Sequence, residues 1–426
     1  LFEGEADLIE ELISRLDDGY TCRILAEMIR INSVVGREGD LARYLQQELD
    51  ALGLPCELHE VEPGRPNVYA RLQGVGPGRR LNFNAHTDTV PVCEGWDTDP
   101  FTPVMKDGRI YGLGACDMKA GMACILTMLK AFVESGYPLR GELSFSGVVD
   151  EEAYSIGARA MLTTDLAGCD AIVLAEPYFG DSIKAIPLGI TGKVLYDLTV
   201  KGHAAHGFNP HLGINAVEEA ARILTSLDRL RMHDHPDFGR GNYCTLKIEG
   251  GYTVYSVVVP DRCRVEINRL LVPGETTETA LRDMEELVRS LDLKAEVEVR
   301  LKPPQYEPFV LDRNEPILAL FHQVYQEVMG VEPVYAYSPG ITDANVFAGE
   351  GGIPCLHLGP PRGNVHQRIR RRRLAGAPGQ DVRLDRRPVP GRRQRAIRLD
   401  LARRLGACRR DIPEWRLQPE SGYFTG

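Results

Sequence analysis

Apolar runs of strand length alternate with amphipathic runs of helix length in two blocks of this chain, and a block of different rhythm separates them. In the first block, Asn67–Gln73 and Leu81–Thr87 alternate as strands do. GELSFSGVVDE and AIVLAEP are apolar enough to lie inside a sheet. Residues 117–135 place Met118, Met122, Ile125, Leu126, Leu129 and Phe132 on one helical face. Helices are also expected within 5–53, the last stopping at Gly53. Strands alternating with helices predict an α/β layer around a largely buried sheet. From about residue 190 the order becomes strand (KVLYDLTVKG), helix (NAVEEAARILTSLDRL), two strands (NYCTLKIEGG, RCRVEINRLL), helix (TETALRDMEELVRSL) and strand (AEVEVRL). That β-α-β-β-α-β order is the ferredoxin-like arrangement. The α/β character resumes after about residue 302 with a helix over 315–329, the strand-like IPCLHLG and the loop SPGITDA. The expected division is an α/β domain in two parts, 1–189 and 303–366, an inserted domain over 190–302, and a tail over 367–426.

A chain of 426 residues exceeds one compact core, which agrees with two domains. Hydrophobic residues at 43% and charged residues at 26% are ordinary for a globular protein. No run approaches the ~18–20 apolar residues that span a bilayer. The acidic start, LFEGEADLIEELISRLDDGY, has no basic region leading into an apolar one, so no membrane partner and a cytoplasmic location are expected. The ten cysteines include no C-x-x-C pair and sit singly in apolar stretches, as Cys22, Cys124 and Cys263 do. They read as buried thiols of a reducing compartment, and none is assigned a catalytic role.

Charge is uneven. Residues 367–426 hold 17 Arg, no Lys and 6 Asp and Glu, a net of +11, whereas 1–366 hold 33 basic against 54 acidic residues, a net of −21. From Gln367 on, QRIRRRRLAGAPGQDVRLDRRPVPGRRQR has neither periodicity, and it reads as an out-of-frame translation of a GC-rich gene. The competing reading is an arginine-rich arm that binds nucleic acid through phosphates, on a protein that is a binding module. No aromatic residue interleaves with the arginines of 368–410, Trp415 and Tyr423 lying beyond them, so nucleic acid is not the expected partner.

The residues that carry chemistry gather at expected strand ends. Asn84-Ala85-His86-Thr87-Asp88 closes an apolar strand, and alternation lets His86 and Asp88 share a side. A metal-bound imidazole usually donates its other N–H to an oxygen, and H-x-D supplies that pair compactly, although a lone pair of this kind is more often incidental. Asp117 follows a glycine-rich turn before a helix, where an ordinary N-cap is the plain alternative. Asp150-Glu151-Glu152 follows a buried strand, and three adjacent carboxylates repel one another unless cations are near; a solvated acidic loop is the alternative. Glu176 closes IVLAEP at the position where α/β folds bind ligands, and His366 follows IPCLHLGPPRGNV. Two divalent ions would be balanced by Asp117, Glu152, Glu176 and a shared hydroxide. Imidazole nitrogen with carboxylate oxygen suits Zn²⁺ first and Co²⁺ as the alternative.

With these residues in place, the chain resembles the M20 family of metallopeptidases and deacylases. The resemblance runs from about residue 20 to His366, through NAHTDTVP, the segment Trp96 to Phe101, DGRIYGLGACDMKAG, VVDEEA, LAEP, HGFNPHLGINA, RCRVEINRLLVPGE and GITDA. It implies a di-metal aminopeptidase-like catalytic domain carrying an inserted ferredoxin-like lid that also dimerises the protein. It implies that His86 and Glu176 hold one metal, Glu152 and His366 the other, and that Asp117 bridges them. Asp88 would support His86, and Glu151 would be the general base. His206, rather than His203 or His211, would reach a neighbouring subunit's site and stabilise the oxyanion. Arg269 would grip a substrate carboxylate (a plain exposed strand arginine is the alternative), and Gly340 and Thr342 would line the substrate loop. The implied activity is removal of an acyl group from an N-acyl amino acid, with a carboxypeptidase or dipeptidase of short peptides as the close alternative. One departure stands out: Gln367-Arg368-Ile369-Arg370 follows His366 where the family has a polar turn with a Glu and then a last amphipathic helix.

Overall fold

A computed structural model describes residues 5–106, 108–177, 185–254, 256–360 and 416–417. His366 and the tail over 367–426, apart from 416–417, lie outside the described residues.

The first body is a six-stranded mixed sheet in the order Cys56–Glu62, Arg65–Gln73, Glu142–Val148, Arg80–His86, Ala171–Leu174, Cys355–His357. The first three strands pair antiparallel, and the last four pair parallel, with His86 level with Val148 and Asn84 level with Leu174. One face is covered by helices Asp18–Arg30, Gly39–Ala51 and Lys119–Ser135. Their Ile24, Met28, Leu41, Leu45, Leu49, Met122, Leu126 and Leu129 are buried with Val68, Ala85 and Phe145 of the sheet. Each fully buried aliphatic side chain of this kind contributes ~1.5–3 kcal/mol. The helix Asp18–Arg30 starts where Asp17 accepts the Tyr20 N–H at 3.0 Å. Helix Lys119–Ser135 stops at Gly136, whose φ of 60° continues the chain in a left-handed turn. On the other face Tyr69, Val148, Ile172 and Leu174 meet Met161, Leu166, Val346 and Phe347. The sheet is therefore covered on both sides, which puts its functional edge at the strand ends.

The second body spans Gly192 to Tyr306. Its sheet is antiparallel throughout, in the order Tyr243–Gly250, Arg262–Leu271, Gly192–Lys201, Glu296–Tyr306. Val194, Tyr196, Leu198 and Val200 alternate toward helices Ala216–Leu224 and Thr277–Arg289, burying Ile223, Met284 and Leu287. The helix Ala216–Leu224 is capped by Asn215 and the helix Thr277–Arg289 by Thr276. The edge strand Tyr243–Gly250 is exposed along its whole length.

The bodies are joined where Ile190 leads into Gly192 and where Tyr306 leads to Phe309. A small sheet of Phe309–Val310, Ala185–Ile190 and Val334–Ser338 lies beside these crossings. Helix Pro316–Met329 sets Leu318 against Leu188, Leu311 and Leu356. Among the described residues no helix is long and apolar enough to cross a membrane, and no cysteine forms a disulfide.

Candidate metal centre

Three neighbouring parallel strands release their chemistry at the same end. Arg80–His86 ends on His86, Glu142–Val148 runs into Asp150-Glu151-Glu152, and Ala171–Leu174 runs into Glu176. Asp117 comes from the turn before helix Lys119–Ser135. The residue that caps this helix is Met118, so Asp117 is not its N-cap. The Met118 sulfur instead accepts the His86 backbone N–H at 2.9 Å, tying the turn to the strand end. Buried Lys119 ties the same turn to helix Asp18–Arg30 by donating to the carbonyls of Met28 and Ile31 at 2.9 and 3.1 Å.

The His86 ring is buried. Its Nδ1 lies 3.0 Å from the main-chain carbonyl of Asp88, which can only accept, so Nδ1 carries a hydrogen. Nε2 then faces Asp117 Oδ1 at 3.3 Å, Glu176 Oε1 at 3.8 Å and Glu151 Oε2 at 4.0 Å. One nitrogen atom of His86 and one oxygen each of Asp117 and Glu176 lie within 4.8 Å of one another, and so do donors of His86, Glu151 and Glu152. Donors ~2.1 Å from a common ion stand ~3–4 Å apart, so this spacing fits a divalent ion.

Electrostatics give the same answer. Burial and then the Glu176 charge hold Glu151 well above the usual carboxylate range. Burial and then Asp117 push Glu176 up to about 8. Burial alone would lower the His86 pKa, but the Asp117 and Asp88 carboxylates overrule it and raise it well above its ordinary value. Acids that hold protons around one imidazole are a donor set in need of positive charge. Nitrogen and oxygen donors together suit a zinc-like ion better than magnesium or calcium.

Asp88 meets both the His86 ring and the acidic turn. It serves His86 through its carbonyl. Its buried carboxylate accepts the backbone N–H groups of Glu151 at 3.1 Å and Glu152 at 2.9 Å, and stands 3.5 Å from Nδ1. It therefore orders the acidic turn and also adds charge beside the ring. The third acid, Asp150, sits at φ 74°, and its carbonyl gathers the N–H groups of Ala153, Tyr154 and Ser155. Its carboxylate is met by Arg65 Nη2 at 2.5 Å, and the same guanidinium grips buried Glu38 at 2.6 and 2.9 Å. Arg65 is the cation that the acidic run called for, and no motif marks it in the sequence.

Asp343 was also missed, although it lies inside GITDA. It is buried, neither oxygen makes a hydrogen bond of ordinary geometry, and burial pushes its pKa up to about 7. The charges of His86 and Asp88 act on it, so it lies within electrostatic reach of the cluster. The Thr342 hydroxyl lies 3.0 Å from His357 Nε2, and Gly340 lies on an exposed turn where its N–H meets Ser338 Oγ at 3.1 Å. His206 is exposed on the second body, its Nδ1 accepting the Phe208 N–H at 3.2 Å.

Arg269 requires a correction. Its guanidinium is 0% exposed and is committed within the second body, to Glu275 at 2.5 Å, the Arg231 carbonyl at 2.8 Å, Tyr196 Oη at 3.0 Å and Asp283 at 3.2 Å. It cannot reach a substrate from there. The signal was in the sequence: Arg269 is in phase with Cys263, Val265, Ile267 and Leu271, the side of the strand that faces the helices.

The profile of peptidase family M20/M25/M40 matches residues 82–371. A succinyl-diaminopimelate desuccinylase of Parvibaculum lavamentivorans is 30% identical over 367 residues, covering 81% of this chain and 88% of that protein. One from Azoarcus is 28% identical over 362 residues, covering 83% and 92%. Among solved structures, a tripeptidase of Staphylococcus aureus superimposes with a TM-score of 0.65 at 24% identity over 81% of this chain and 90% of that one. The YXEP protein of Bacillus subtilis, described as a dinuclear metal-binding peptidase of family M20, gives 0.56 at 18% identity over 82% and 92%. With that match across most of its length and an acidic, histidine-bearing cluster at the ends of its parallel strands, the chain belongs to peptidase family M20/M25/M40 and is a hydrolase of amide bonds.

Proposed function

We propose that this protein removes the acyl group from an N-acyl amino acid, with two divalent ions, zinc first and cobalt as the alternative. The observation that carries the reading is the meeting of His86, Asp117, Glu151, Glu152 and Glu176 at one end of the parallel strands. His86 and Glu176 would hold one ion, Glu152 and His366 the other, with Asp117 between them. His366 lies outside the described residues, so its part rests on the family resemblance. Bound ions of this kind lower the pKa of water and polarise a carbonyl oxygen.

The chain's own groups do the rest. Glu151 sits close enough to His86 to take a proton from water at the centre and to hand it to the departing nitrogen. Asp88 fixes Glu151 and Glu152 by their amides, so the base and the ligand move as one turn. The 192–306 body is read as a ferredoxin-like lid. His206, exposed there with Nε2–H as a donor, would serve the partner subunit's oxyanion in a homodimer. The exposed edge strand Tyr243–Gly250, with Leu246 and Ile248 in solvent, supports a second copy pairing along it. Gly340 and Thr342 remain the candidate substrate loop, and Arg269 is left out.

Relatives named succinyl-diaminopimelate desuccinylase favour the deacylase, whereas solved neighbours named tripeptidase and carboxypeptidase keep peptide cleavage as the second reading. The deciding experiment is a panel of N-succinyl, N-acetyl and N-formyl amino acids against di- and tripeptides, with Zn²⁺ or Co²⁺. Turnover of acyl amino acids alone is expected, and turnover of peptides alone overturns the proposal. Glu151→Ala should keep its metal and lose turnover, whereas Glu152→Ala should lose metal; normal hydrolysis by both would refute the assigned roles.

A further inference from the structure

The two bodies meet only a few residues from the acidic turn. The chain leaves the second body along Glu296–Tyr306, and the last residue of that strand is buried. The Tyr306 hydroxyl lies 3.3 Å from Ser155 Oγ and donates to the Ala153 carbonyl at 3.4 Å. Both partners belong to the turn that opens on Asp150 and holds Glu151 and Glu152. Arg159 lies over the Tyr306 ring at 5.2 Å from its centre. The same guanidinium donates to the Tyr154 carbonyl of the turn, to the Gln305 carbonyl of the crossing strand at 2.7 Å and to Glu350 at 2.6 Å. One cation therefore bridges the turn and the crossing.

Asn345 does the matching work on the other side. Its buried Nδ2 donates to the Thr191 carbonyl at 2.9 Å and the Glu307 carbonyl at 2.8 Å, one from each crossing. Its Oδ1 accepts the Thr342 N–H at 3.0 Å. The two crossings are thus stitched together and onto the candidate substrate loop, while Tyr306 stitches them onto the candidate base. A cavity of about 630 Å³ is lined by Tyr154, Arg159, Thr277, Pro304, Gln305 and Glu350, residues of both the turn and the crossing strand among them.

We propose that Tyr306 is a positioning residue for Glu151: its hydroxyl sets the acidic turn from the junction of the two bodies, so that the placement of the second body is read out at the base. The inference rests on the reading of Glu151 as general base. A tyrosine that only fills space would act through its ring, whereas this role acts through its oxygen.

Tyr306→Phe separates the two, because it keeps the ring and its contact with Arg159. In full-length protein, amide hydrogen exchange across 150–158 is expected to rise ~10-fold while strand Arg262–Leu271 stays unchanged. In the metal-loaded enzyme acting on an N-succinyl amino acid, kcat should fall ~10–100-fold with KM, Tm and metal content held. Unchanged exchange over 150–158 overturns the proposal, as does a fall in kcat matched by loss of metal or of Tm. Should the wild type hydrolyse no acyl amino acid, the functional reading fails by itself, and the exchange comparison still decides whether Tyr306 orders the turn.

Discussion

Three adjacent acids, Asp150, Glu151 and Glu152, are tolerated because each has a different neighbour. Asp150 is neutralised by Arg65, Glu151 and Glu152 are held by their amides on Asp88, and their carboxylates turn toward His86. Removing Arg65 would leave both Asp150 and Glu38 as buried charges without their cation. Arg65→Met is expected to destabilise the fold by about 3 kcal/mol or more, read from urea unfolding. Asp88→Asn keeps the size of the side chain but presents an N–H to one of the two amides. It should therefore lower kcat far more than metal content, and equal losses in both would show that Asp88 serves the metal first. The carbonyl that fixes the His86 tautomer belongs to the backbone and survives this change.

At the scale of elements, strand Arg262–Leu271 shows how much a period of two can say. Residues 263, 265, 267 and 271 face the helices, and Arg269 shares their side. Its guanidinium joins strand Gly192–Lys201, through Tyr196, to helix Thr277–Arg289, through Asp283, and also holds Glu275. Arg269→Met strands buried Glu275, takes one cation from half-buried Asp283, and is expected to cost about 3–5 kcal/mol in chemical unfolding, with KM unchanged in the protein that folds. A raised KM at unaltered stability would restore it as a substrate residue. Strand alternation and helical faces were legible because they depend on neighbours a few residues apart. The short strands Val104–Lys106 and Arg109–Tyr111 were not, since three residues carry too little pattern.

For the whole molecule, the metal decides how stability follows pH. In metal-free protein the folded state holds Glu176 near pKa 8 and Asp343 near 7, both above their unfolded values. The folded form then binds more protons than the unfolded form between about pH 4 and 8, so stability falls as pH rises through that window. Chelated protein should melt lower at pH 8 than at pH 5. Added Zn²⁺ should lift the pH 8 value most, because a cation replaces the protons. A chelated Tm that rises from pH 5 to 8 would count against the cluster as a metal site. Sedimentation should report twice the chain mass, and a charged substitution on the exposed edge, Leu246→Lys, should shift it toward the single chain.

Legible in the residues alone were the alternation of strands and helices, the change of rhythm near residue 190, and the imidazole and carboxylates that stand at strand ends. Those are local properties, written in the spacing of apolar residues and in the chemistry of single side chains. Folding in three dimensions is what brings Asp88 to the acidic turn, Arg65 to Asp150 across 85 positions and Tyr306 to Ser155 across 151, and what buries Arg269. Such partners are chosen by how strands stack and where the chain crosses between bodies, and no local period records which distant residue will arrive.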